Sequence, residues 1–176
     1  SATDLMLFPE TFISPRRASM LVCISRSGTT RETVTAAQKF REHGGHSIAV
    51  VTCDSRSPLA QTADVLLAID AAQEESRVQT RSFSSMVVAT TALAALFSGH
   101  DWRVLAALPT RLDSLMQASS EIVNRLGRDV SITQFAFLGS GALFGIACEA
   151  MLKMTEMAKL FSVGCQPLEY MHGPYY

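Results

Sequence analysis

Apolar and polar positions follow two different periods along this chain. Residues 20–24 form a short apolar run and predict a buried strand. Residues 30–40 carry Val34, Ala37 and Phe40 at helical spacing, and His43-Gly44-Gly45 closes that helix with C-terminal cap chemistry. Residues 47–52 predict a second buried strand. Ser57-Pro58 predicts the start of a short helix, since proline suits the first helical turn. Residues 65–69 predict a third strand, and residues 81–97 a long helix rich in small side chains. Strands that alternate with helices in this way imply an α/β fold, a parallel sheet with helices on both faces.

The pattern then restarts. Residues 109–126 predict a more polar helix that ends at Gly127. A strand follows over 134–138, then the turn Gly139-Ser140-Gly141, then one long helix over 142–161. Strand, glycine-hydroxyl turn and helix thus occur twice, which predicts two related α/β lobes. The expected division is a first lobe over 1–100, a linking helix over 101–130 and the start of a second lobe over 131–176. A covered parallel sheet typically has about five strands. The pattern offers three in the first lobe and one in the second, so both lobes are expected to be incomplete and the chain to be a fragment.

Composition narrows the classes. With 176 residues, 48% apolar, the chain is long and apolar enough to fold around a core. A net charge of −1 gives no basic footprint for nucleic acid. Cys23, Cys53, Cys148 and Cys165 show no CxxC pair or zinc spacing; three of them lie in apolar runs. That usage suits a reducing cytoplasm. No apolar run approaches about 18 residues, and the start lacks a basic-then-apolar leader, so neither a membrane partner nor a signal peptide is expected.

Two places carry candidate chemistry. The first strand runs into Ser25, Ser27, Gly28, Thr29 and Thr30 just before a helix. The first N–H groups of a helix lack intrahelical partners and carry a partial positive charge, so hydroxyls and a glycine there suit a phosphate. The same turn could simply cap the helix, because Thr29 and Glu32 have capping-box spacing. The second place is a stripe of Glu149, Lys153 and Glu156 on an otherwise apolar helix, at i, i+4 and i+7 on one face. It faces a cleft or a partner, or is a solvated strip with a weak ion pair. His172, ahead of Gly173-Pro174, is predicted to lie in a turn.

Taken together these motifs resemble the sugar isomerase (SIS) family, most closely the isomerase half of glucosamine-6-phosphate synthase and its isomerase and deaminase relatives. Ser25, Ser27, Gly28 and Thr30 match its Ser-x-Ser-Gly-x-Thr turn. Glu149, Lys153 and Glu156 match its Glu-x-x-x-Lys-x-x-Glu helix, and Glu169, His172, Gly173 and Pro174 its Glu-x-x-His-Gly-Pro segment. Residues 78–84 resemble the family's segment before the long first-lobe helix, one residue short. The resemblance implies flavodoxin-like lobes, a sugar-phosphate substrate, a homodimer, and no metal or organic cofactor. It implies that Ser25, Ser27, Gly28 and Thr30 hold the phosphate. Glu156 would be the base moving a proton between C1 and C2 through an enediol or enolamine, and His172 would assist ring opening. Lys153 and Glu149 would position or polarise sugar oxygens, and Val78, Thr80, Ser82 and Glu169 would contact the sugar. The chain departs from the glucosamine-forming members at Arg26, where they tend to have Gln, and at Thr29, where they tend to have Glu. A stand-alone isomerase, deaminase or deglycase is therefore expected, with a non-catalytic phosphosugar sensor as the alternative.

Overall fold

A computed structural model describes residues 1–14 and 16–173. It divides into two compact units, Ser1–Ala106 and Ala107–Tyr176.

The first unit opens with two short helices that the periodicity reading did not include, α1 (Ala2–Leu7) and α2 (Pro9–Phe12). The start of α1 is a capping box, with the Ser1 hydroxyl accepting from the Asp4 amide and the Asp4 side chain reaching back. Strands β1 (Met20–Ser25), β2 (Ser47–Thr52) and β3 (Val65–Ala68) form a parallel sheet in the order β1-β2-β3. Met20 pairs with Ser47 and Ala49 with Val65, which fixes the register. Helix α3 (Arg31–Glu42) joins β1 to β2 and ends in a Schellman motif. There Gly45 N–H donates to Phe40 O at 2.8 Å and Gly44 N–H to Arg41 O at 3.1 Å, with Gly44 at φ +84°. Between β2 and β3 the expected helix at Ser57-Pro58 is instead a turn followed by a 3-10 turn, Ala60–Thr62. The Ser57 hydroxyl donates to the Asp54 carbonyl and accepts from the Ala60 amide, and these local bonds hold the stretch as a turn.

Alternation along β2 sorts the core into two faces. Ile48 and Val50 pack with Cys23, Ala37 and Phe40 on the α3 side. Val51 packs with Cys53, Ala72 and Met86 on the side of helix α4 (Arg81–Phe97). All of β2 from Ile48 to Thr52 is fully buried. On edge strand β1, Cys23 and Ser25 are buried while Met20, Val22 and Ile24 stay exposed.

In the second unit, helix α5 (Leu108–Arg128) leads to β4 (Gln134–Leu138). Gly127 lies inside α5 rather than after it, because the helix continues to Arg128 and caps on Asp129. The expected long helix over 142–161 is also corrected. Helix α6 (Ala142–Lys153) widens into a π-helical turn, Met154–Ala158, and Lys159 at φ +58° turns the chain out of the helix. Residues 161–165 then form β5 (Phe161–Cys165), parallel to β4, so this unit has two strands where one was expected. Gly164 permits the close approach of α6: a Cβ there would lie 3.1 Å from Cys148 Cα. The short helix α7 (Pro167–Met171) follows. Among the described residues no helix is long and apolar enough to cross a membrane.

Candidate functional site

The turn after β1 is built by its own hydroxyls. The buried Ser25 side chain accepts from Gly28 N–H at 3.2 Å and lies 3.4 Å from the Thr30 hydroxyl. The Ser27 hydroxyl accepts from Thr29 N–H at 3.2 Å and from Thr29 Oγ1 at 2.8 Å. Thr29 is thereby drawn back toward Ser27, and the capping box expected with Glu32 does not form. The helix cap falls on Thr30, whose side chain does not bond to the first amides of α3. Among the described residues those amides meet no protein acceptor, and with the helix dipole they suit an anion. Gly28 needs its φ of +59°, and a Cβ there would lie 2.0 Å from Ser57 Oγ.

A cleft of about 340 Å³ opens at this turn. Ser25, Arg26, Ser27, Thr30, Thr33 and Gln79 line it. Ser25, Ser27 and Thr30 were legible from sequence as phosphate-holding candidates. Thr33 follows them by one turn of α3, and Gln79 stands in the 78–84 segment, but neither carried a signal of its own.

Thr80 and Ser82 lie at the start of α4, where Glu74 holds both. Its carboxylate accepts from Thr80 N–H at 2.9 Å, Ser82 N–H at 3.1 Å, Thr80 Oγ1 at 3.1 Å and the Ser82 hydroxyl. The Ser82 bond, reinforced by the other three, holds the Glu74 carboxyl down at about 2. Ser82 is fully buried, Val78 half-buried and Thr80 exposed. Glu74 is a helix cap acting from six residues upstream of Thr80, which local capping patterns do not reveal.

In the second unit the charged stripe closes on itself. Lys153 Nζ lies 3.2 Å from Glu149 Oε1 and donates to Glu156 Oε2 at 2.9 Å. The side chains of Glu149 and Lys153 are about four-fifths buried and that of Glu156 about two-thirds. Partial burial works against the Lys153 charge, but its bonds to Glu156 and Glu149 outweigh this and raise its pKa. Glu149 and Lys153 stand on α6, while Glu156 stands on the π-helical turn, so the change of helix type falls where the stripe ends. His172 caps the C-terminal end of α7, its N–H donating to Glu169 O at 3.2 Å; both side chains are exposed. Among the described residues neither side chain bonds to the Glu149, Lys153 and Glu156 set. Pro174 of the His172-Gly173-Pro174 turn lies outside the described residues.

Fold and site define a parallel α/β protein with helices flanking each sheet, a hydroxyl-lined cleft in one unit and an ion-paired carboxylate array in the other. Residues 13–99 match the SIS domain, and that segment belongs to the SIS domain family. It is 32% identical over 165 residues to a glutamine–fructose-6-phosphate aminotransferase (isomerizing) of Pyrobaculum aerophilum, covering 88% of this chain and 27% of that protein. The same enzyme of Corynebacterium diphtheriae is 28% identical over 168 residues, 89% and 27% of the two chains. Among solved structures, glucosamine-6-phosphate deaminase from Thermotoga maritima superimposes with a TM-score of 0.84 at 26% identity, over 98% of this chain and 53% of that one. Tagatose-6-phosphate ketose/aldose isomerase from Escherichia coli shares the fold, with a TM-score of 0.83 at 22% identity over 99% and 49%. The chain thus spans about a quarter of the length of these curated relatives and about half that of the solved structures.

Proposed function

We propose that this chain carries the reactive core of a phosphosugar isomerase or amino-sugar-phosphate deaminase or deglycase. The observation that carries the reading is the Lys153 ammonium held between Glu149 and Glu156 on a partly buried helix face. A carbon next to a carbonyl gives up its proton to a well-placed base, and a carboxylate is suited to that work. In this reading the Glu156 carboxylate takes the C2 proton of an open-chain aldose phosphate. The C–H electron pair becomes the C1–C2 double bond of an enediol as the C1 oxygen gains a proton. The C1–C2 double bond then takes the proton back at C1 while the C2 hydroxyl gives up its own proton and becomes the carbonyl, which gives the ketose. The Lys153 ammonium holds the Glu156 carboxylate in place by its hydrogen bond and, with Glu149, orients sugar oxygens. His172 assists ring opening, and Ser25, Ser27, Gly28 and Thr30 hold the phosphate in the cleft after β1. Val78, Thr80 and Glu169 contact the sugar, the protein self-associates as a dimer, and it works in the cytoplasm. The likeness to glucosamine-6-phosphate deaminase, in sequence as well as in fold, supports the class of reaction.

The test is Glu156→Gln, followed by proton NMR in D2O with sugar phosphates that stabilise the wild-type chain. Loss of a positioned base slows such steps by roughly 10²–10⁴-fold. Exchange at C2 should fall by that factor while phosphosugar stabilisation persists. Undiminished exchange removes Glu156 from the base role. Stabilisation without any exchange in the wild type makes the protein a phosphosugar sensor.

A further inference from the structure

Arg26 joins two parts of the first unit. Its carbonyl accepts from Cys53 N–H at 3.0 Å and Thr52 Oγ1 at 3.2 Å, which pins its backbone to the end of β2. Its guanidinium Nη1 donates to the Ser76 carbonyl, fifty residues on. The same side chain lines the cleft with Ser25, Ser27, Thr30 and Gln79.

Arg26 as a residue is half-buried, its guanidinium bond to Ser76 is exposed, and among the described residues no carboxylate lies within ion-pair distance of it. Arg41, by contrast, is paired with Asp64. A cation whose acceptor among the described residues is a neutral carbonyl keeps its charge uncompensated and favours the arrival of an anion. Guanidinium has five N–H donors in a planar fork, so donors remain for a second acceptor after Ser76 is satisfied.

The loop that Arg26 reaches has no regular secondary structure between residues 73 and 80. It is tied down by charged side chains. Glu74 caps α4, and Arg81 donates to the Gln73 carbonyl. Arg26 is the tie that starts from the 25–30 turn, and Gln79 is the loop residue that lines the cleft.

We propose that Arg26 couples phosphate occupancy of the cleft to the ordering of residues 73–80. One arm of the guanidinium stays on the Ser76 carbonyl while the others take oxygens of a phosphate monoester dianion, drawing the loop that carries Gln79 onto the bound group. This rests on the reading that the cleft takes phosphate.

The experiment is hydrogen exchange of the full chain with and without inorganic phosphate, alongside phosphate affinity, for wild type, Arg26→Gln and Arg26→Lys. In the wild type, phosphate should slow exchange across 73–80. Arg26→Gln should weaken phosphate binding by about 10–100-fold, the scale of a hydrogen bond to a charged group, and should lose the phosphate-dependent protection even at saturating phosphate. Arg26→Lys keeps the charge without the fork, so it should lose less affinity yet also lose the protection. Unchanged affinity in Arg26→Gln overturns the proposal. So does full loop protection in Arg26→Lys, or wild-type binding that leaves 73–80 unprotected. A wild type that binds no phosphate overturns the phosphate reading of the cleft itself, which separates the two failures.

Discussion

The two glycine-hydroxyl turns of this protein begin alike and end differently. Both follow a parallel strand, both lead into a helix, and both carry a glycine in the left-handed region, Gly28 at φ +59° and Gly141 at φ +57°. Around Gly28 the structure is closed. Its carbonyl accepts from Leu59 N–H at 3.0 Å, its N–H meets Ser25, and Ser57 sits directly against it. Around Gly141 nothing among the described residues lies within 4 Å of where a Cβ would be. The surroundings explain this. The first unit buries β2 completely, whereas in the second Ala147 and Ser162 are the buried side chains among the described residues. A turn surrounded by core is pre-shaped, which favours binding a fixed group such as a phosphate. In the second unit the charged residues are organised by their own ion pairs rather than by the packing beneath them.

Alanine substitution at the two glycines sharpens that contrast. Gly28→Ala combines a disfavoured φ with an overlap against Ser57, and should cost about 2–4 kcal/mol. Gly141→Ala, at φ +57° and ψ −128°, meets the backbone penalty alone, about 1–3 kcal/mol. Urea unfolding of both variants measures the difference, and phosphate stabilisation should vanish only in Gly28→Ala. Equal costs at the two positions would show that packing around Gly28 contributes nothing to shaping the turn.

A smaller effect comes from Glu74, again in the first unit. Its pKa, held at about 2 chiefly by the Ser82 hydroxyl, lies below the ordinary 4.5. A depressed carboxyl stabilises the fold above its unfolded pKa, and that stability drains away as pH falls through 4.5 toward 2. Glu74→Gln should therefore melt at a lower temperature at pH 7 and show a shallower loss of melting temperature between pH 5 and about 3. Parallel curves for wild type and variant would mean that Glu74 does not cap α4 in solution.

Glu74 also shows why part of the site was hidden in the sequence. Caps are read from residues one to three places before a helix, while Glu74 reaches Ser82 across eight. What lies within one element was legible: the buried strands over 20–24 and 47–52, the Gly44-Gly45 stop of α3, and the spacing that puts Glu149, Lys153 and Glu156 on one face. What depends on a change of geometry inside a continuous apolar run was not. Met151, Leu152, Met154, Met157, Leu160 and Phe161 read as one helix, yet a π-helical turn and the left-handed Lys159 divide them into a helix end and strand β5. Lysine gives no local signal for positive φ. Nor could spacing reveal that Thr29 turns back to Ser27, since both its hydroxyl and its amide had more than one acceptor in reach.

The smallest predicted effect has the opposite sign. Gly127 reads as a helix stop, but α5 runs through it to Arg128, its φ is not positive, and a Cβ there would meet nothing within 4 Å. Glycine inside a helix costs about 0.5–1 kcal/mol relative to alanine, and the penultimate position should give the lower end of that range. Gly127→Ala should thus raise stability slightly, where the same substitution at Gly28 lowers it severely. The outcome decides between two geometries. A left-handed cap residue would lose about 1–2 kcal/mol on gaining a Cβ, so destabilisation would place the end of α5 at Gly127. A gain would establish that the open second unit tolerates side chains where the closed turn of the first unit cannot.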